Sequence, residues 1–298
     1  LLGTDNTAAF QAAINAADGN TLLFEKGAYK HGALNVTNRK PMVWQGSGPA
    51  YGGTQLLPAV DGATAYDFSG TGAIQLRSLW IGDRFNPHVP KVGILRAPTP
   101  QVPGLDFDHY SDLMVTGRYS LAPYYNFGAG SGQMDRCAFW NFYSGADAEC
   151  HAAVFSLDNS LGATSAFAQL ATSGSCNAWT LVGCEFHEYS GQAGMSFAPI
   201  LLRGASDYHF AGGIVSGSSK LVVCKNPQPG GQYSPPRRIT GMNVRFENES
   251  GTPIPTHIFN LYSPIEDSHF WGCMAGVSAS RWTGLSAPVG CTWNGAPL

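Results

Sequence analysis

Residues 3–58 read GTDNTAAFQAAINAADGNTLLFEKGAYKHGALNVTNRKPMVWQGSGPAYGGTQLLP, one helical pattern followed by nothing but strand-length pieces. Asp5 to Thr7 offer capping oxygens, Phe10, Ala13, Ile14 and Ala17 share a face at helical spacing, and Gly19 supplies a left-handed stop. The pattern predicts an amphipathic helix over 8–17. Thr21–Phe24, Ala33–Val36 and Met42–Trp44 are short β-prone runs, each closed by Gly, Asn or Pro. A helix followed at once by evenly spaced short strands fits a cap over the open end of a β-solenoid, whose first coil would otherwise expose apolar interior and unpaired backbone.

A repeat supports that reading. Similar pieces recur at Ser78–Ile81, Met134–Phe139, Leu181–Phe186, Phe210–Val215, Ile239–Val244 and Phe270–Met274. With glycines as register marks, Gly183, Gly212, Gly241 and Gly272 are separated by 29, 29 and 31 residues, a period suited to one coil of a parallel β-helix. The longer interval between Arg136 and Gly183 places an insertion near 144–176. This register stacks Leu181, Phe210, Ile239 and Phe270 in one interior column. A second column, Cys137, Cys184, Gly213, Met242 and Cys273, reads as core and accounts for three cysteines without chemistry. Thr180, His209, Arg238 and His269 then form an outward ladder, with Asp207 and Asp267 flanking it about 10 Å apart.

The residues Gly3-Thr4-Asp5-Asn6-Thr7-Ala8-Ala9-Phe10-Gln11-Ala12-Ala13-Ile14, then Leu22-Leu23-Phe24 with Gly27-Ala28-Tyr29, then Trp44-Gln45-Gly46-Ser47-Gly48, resemble the start of pectate-lyase-like right-handed β-helix proteins. That group includes bacteriophage tailspike depolymerases. Glu25-Lys26 departs from the pattern, where such proteins often carry a proline. The resemblance implies an all-β, single-stranded right-handed parallel β-helix with a short capping helix (1–20), a solenoid body (21–277) and a C-terminal cap or tail (278–298). It also implies a homotrimer, an extracellular or virion-tail location, and binding and cleavage of a bacterial surface polysaccharide. A non-catalytic carbohydrate-binding adhesin or tail component is the alternative. The plant-pectin enzymes' own catalytic motifs have no residue-by-residue match.

Composition narrows the partners. Gly is 37 of 298 residues and charged residues are only 12%, a turn-rich, charge-poor β composition. A net charge of -3 gives no electrostatic case for nucleic acid. No apolar run approaches a membrane span. The chain starts inside the family motif, without Met, and reads as a trimmed piece of something longer. Seven cysteines with no CxxC argue against a disulfide framework or a structural metal, and no cofactor is implied.

Several side chains are candidates for chemistry. Asp207, Asp267, Glu185, His209 and His269 are the acid, base and nucleophile candidates, because glycosidic cleavage needs paired carboxyls and elimination needs a base near neutral pKa. Hydrolysis is the favoured reaction, with elimination kept open. Arg238, Trp271, Glu188 and Trp179 are the substrate-binding candidates. Trp271, next to interior Phe270, should face outward, where a ring can pack against a sugar's C–H face. Asp106, Asp108, His109 and Asp112 (DFDHYSD, 106–112) read as a turn-stabilising cluster in preference to a metal site, while Asp147, Glu149, His151 and Asp158 sit in the expected insertion.

Overall fold

The computed structural model describes residues 4–50, 52–97, 107–128, 130–145, 149–156, 177–190, 198–204, 206–217, 220–225, 237–248, 257–261, 269–275, 292–293 and 296–297. Thr7–Ala16 is the helix, and it buries Phe10 and Ile14. Asp5 organises its entry by accepting from the Thr7 amide at 2.9 Å. Phe10 packs edge-on to Phe24 and His31, with ring centroids 5.1 Å away in each case, and meets Trp44 at 5.5 Å. The helix thus packs its buried face onto an aromatic cluster.

The other regular elements of the described chain are β-strands. Among the described residues one sheet holds eight strands, from Leu34–Asn35 and Thr64–Asp67 to Lys220–Lys225 and His257–Leu261, each after the first parallel to the strand of the preceding repeat, or coil. A larger, eighteen-stranded sheet takes two strands from most coils. Its pairings are parallel except for Thr292–Trp293 with Ala296–Pro297. Ala153–Ser156, inside the stretch read as an insertion, is an ordinary strand paired with Tyr124–Phe127 and Ile200–Arg203.

A single backbone device bends the larger sheet. Ser78, Asp112, Arg136, Gly183, Gly212, Asn243 and Gly272 all have left-handed φ, between 49° and 68°. The flanking pairs put all seven at one position of successive coils. Only Gly adopts that region without cost, and short polar residues adopt it most readily after Gly. This corrects the register, because Gly241 is not a corner; Asn243 is. Gly241 instead lies inside, opposite Phe210 and Phe270, where a β-carbon would overlap the Phe270 ring.

The two-residue correction moves three assignments. The interior column runs Tyr110, Met134, Leu181, Phe210, Gly241, Phe270, while Ile239 belongs with Trp179 and Tyr208. Val244, rather than Met242, joins buried Cys137, Cys184 and Cys273, which are free thiols. The outward row is Gln133, Thr180, His209, Thr240, His269, with Thr240 where Arg238 was expected.

The 106–112 stretch is a strand, not a turn, from Phe107 onward; Asp106 lies outside the described residues. Asp108 points inward and is buried with Arg96. Arg96 Nε and Nη2 donate to its two oxygens at 2.6 and 3.0 Å, Nη1 donates to the Phe68 and Thr71 carbonyls, and the Ile74 amide and Tyr110 hydroxyl complete the shell. A buried charge persists only when its partners satisfy it in this way. His109 faces outward in the row of Gln133 and His209, and Asp112 sits at the corner.

Candidate functional site

Counting from the corner residues locates the outward side chains of the strands that follow. Trp80, Met114, Ala138, Glu185, Ile214 and Arg245 stand two residues after a corner and are register partners. Thr116, Trp140, His187, Ser216 and Glu247 stand four residues after it. Between them point the interior Val115, Phe139, Phe186, Val215 and Phe246, the alternation that a strand imposes.

The first coils of these two rows form a groove of about 410 Å³ floored by Trp80, Met114, Thr116, Trp140 and Phe142. Pro49, Ala50, Asp83 and Arg84 complete its lining. The Trp80 indole donates to Thr116 Oγ1 at 2.8 Å, which fixes its ring in the floor. On the next coil, the His187 imidazole meets the Trp140 ring edge to face at 5.4 Å, and the Tyr189 ring stacks on Phe142 at 4.4 Å. His187 and Tyr189 therefore back the Trp140 and Phe142 rings of the groove.

Glu185 stands beside His187. His187 Nε2 lies 3.7 Å from Glu185 Oε2, with the carboxylate about a third exposed and the imidazole nearly buried. The neighbouring imidazole holds the Glu185 carboxyl below the usual carboxylate range, against partial burial, which works the other way. Tyr189 Oη is 3.3 Å from His187 Nδ1. The pair presents an ionised, reachable oxygen backed by an oriented imidazole.

The other expected site residues distribute as follows. Asp207 and Arg238 occupy one register position on adjacent coils, both with left-handed φ, and the guanidinium clamps the carboxylate through Nε to Oδ1 and through Nη2 to Oδ2 at 2.6 Å. Asp112 and Arg136 repeat this bidentate pair at the other corner. His209 Nδ1 meets Thr240 Oγ1 at 2.7 Å. His269 is exposed, and Trp271 lies outward beside it with rings 5.7 Å apart. Trp271 is 41% exposed and its register partner Met242 45%.

Two expected contacts are corrected. Trp179 is wholly buried, stacked on Tyr110 in the interior, because its strand turns alternate side chains inward and the register places it there. Glu188 is buried and accepts the Ser190 amide, so neither can touch a surface ligand. Asp267 lies outside the described residues, as do Asp147 and Asp158. Glu149 is half-buried and His151 fully buried, its Nδ1 paired with the Ala198 carbonyl. Among the described residues no group of three His, Cys, Asp or Glu could hold a metal, and no helix is long and apolar enough to cross a membrane. The groove residues Trp80, Met114, Trp140 and Phe142 were missed, although their fixed distance from Ser78, Asp112 and Arg136 was present in the sequence.

No protein-family model and no curated protein matches the chain. Among solved structures, ORF18 of Geobacillus virus E2 aligns over 97% of this chain and 56% of its own, with 12% identity and a TM-score of 0.53. The enzymatically active domain of tailspike protein 2 of bacteriophage CBA120 aligns over 98% and 50%, with 11% identity and a TM-score of 0.49. The A-module of Azotobacter vinelandii mannuronan C-5 epimerase AlgE6 aligns over 97% and 95%, with 16% identity and a TM-score of 0.41. The chain spans about half the length of the two viral proteins. At such identities the likeness concerns the fold alone, and at that level ORF18 matches nearly the whole of this chain.

Proposed function

We propose that this chain is a right-handed parallel β-helix that binds and cleaves a polysaccharide, a bacterial capsule or O-chain, from a virion tail or another extracellular position, as a homotrimer. The observation that carries the reading is the ring contact between Trp140 of the aromatic groove and His187, which in turn stands beside the Glu185 carboxylate. Aromatic faces pack against pyranose C–H groups while a few polar groups fix orientation. Glu185, held ionised, serves as the base that takes a proton from the attacking water, a solvent water returns a proton to the departing glycosidic oxygen, and His187 positions the carboxylate. Hydrolysis is placed before elimination, because the reachable charged group in the pair is a carboxylate.

The test is incubation with purified bacterial surface polysaccharides, following new reducing ends and the ultraviolet absorbance of an unsaturated uronate. Reducing ends alone mean hydrolysis, and both signals mean elimination. Trp140→Ala should weaken binding and Glu185→Gln should remove cleavage. A second reading, a binding-only adhesin, is favoured by exposed Trp271 and Met242 beside the His209–Thr240–His269 row. Tight binding without either product signal, unaffected by Trp140→Ala and lost in Trp271→Ala, would select it.

A further inference from the structure

Arg84 brings an exposed guanidinium to the groove. It follows Asp83 on a loop that is pinned at several points. Asp83 Oδ1 accepts the Phe85 amide at 2.9 Å, and Asn86 Nδ2 donates to the Pro58 carbonyl at 2.7 Å. Arg118 Nη2 donates to the Asn86 and Pro87 carbonyls at 2.9 Å each, and His88 Nδ1 lies 2.8 Å from Asp61 Oδ2. The other basic groups of the loop are thus occupied, and Asp83 is buried. Arg84 is exposed, lines the groove and lies 4.4 Å over the Phe85 ring, itself 69% exposed. Among the described residues no carboxylate pairs with Arg84.

A guanidinium held over an aromatic face still has N–H groups to donate, and these can match a carboxylate with two parallel hydrogen bonds. A preorganised loop presents it without the ordering cost a mobile side chain would carry. We infer that the groove takes an acidic glycan, a uronate or another sugar acid, whose ring packs on the Trp140 side while its carboxylate pairs with Arg84. This rests on the groove being the glycan site.

The experiment is binding to an array of bacterial oligosaccharides in which each acidic structure is accompanied by its carboxyl-reduced form, with wild type, Arg84→Gln and Trp140→Ala compared at two salt concentrations. Wild type should bind acidic structures, with carboxyl reduction and Arg84→Gln each weakening binding by about tenfold or more, and with the acidic preference fading at high salt. Trp140→Ala should weaken acidic and reduced forms alike. Equal binding of reduced forms, preference for phosphate-bearing forms that survives carboxyl reduction, or an unaffected Arg84→Gln variant overturns the acidic preference while leaving the groove in place. An unaffected Trp140→Ala variant, or binding to no structure at all, overturns the groove reading and this inference with it.

Discussion

His187 Nε2 stands 3.7 Å from Glu185 Oε2, two residues along one outward strand face, and the imidazole holds the carboxyl below its usual range. Cleavage that uses ionised Glu185 should therefore persist as pH falls into the ordinary carboxylate range, and fail only below it. His187→Gln should move that acid limb upward. Glu185→Gln should lower turnover by about a hundredfold or more with unchanged melting. The check is the pH profile of kcat/KM for the three proteins; an acid limb that stays put in His187→Gln removes His187 from the account.

Gly241 faces the Phe270 ring on the next coil, with no space for a β-carbon. Gly241→Ala should cost about 1–3 kcal/mol by overpacking. Gly212→Ala lies at a corner in open space and carries only the backbone cost of left-handed φ, about 1–2 kcal/mol. Combining Gly241→Ala with Phe270→Leu should recover part of the loss, which denaturant unfolding would read.

Arg96 and Asp108 form a buried bidentate pair inside the coils. Removing one partner strands the other charge, so Arg96→Met or Asp108→Leu alone should cost about 3–5 kcal/mol. The double variant should be more stable than the sum of the singles predicts. Strict additivity in a double-mutant cycle would mean that the pair is not coupled.

His31 lies under the helix between Tyr66 and Phe10, and burial pulls its pKa down to about 4. The unfolded chain takes up a proton below about pH 6.5 that the folded chain refuses. Stability should therefore fall as pH drops from about 6.5 to 4, by an amount on the order of 3 kcal/mol, and level off below that. Above pH 6.5 this group contributes no slope. Comparing the pH dependence of unfolding for wild type and His31→Gln isolates it, and an equal slope in both would contradict the burial argument.

Much of the fold was legible because it depends on local chemistry. The 7–16 helix, its buried Phe10 and Ile14, and the short strands that follow come from spacing and from Gly, Asn and Pro breaks. The repeat was legible for the same reason. Its register slipped by two at one coil because Asn243 does the work of a corner glycine, while Gly241 serves side-chain clearance. Glycine marks two different needs, and sequence alone does not separate them.

That slip also moved the site. Arg238 left the His209 row and joined Asp207, turning two candidates into one ion pair. Glu185 was legible as a carboxylate in the Leu181–Phe186 repeat, whereas Trp80 and Trp140 were not singled out. Their convergence depends on four coils superposing in register, and the irregular corner spacings between Ser78 and Gly183 hid it.

The most direct test of the central claim is the crystal structure of the protein soaked with an oligosaccharide that it binds. The account predicts sugar rings over Trp80, Met114 and Trp140, with the chain running toward Glu185. Sugar seated elsewhere, on the His209–His269 face for example, with the Trp140 groove empty would contradict it.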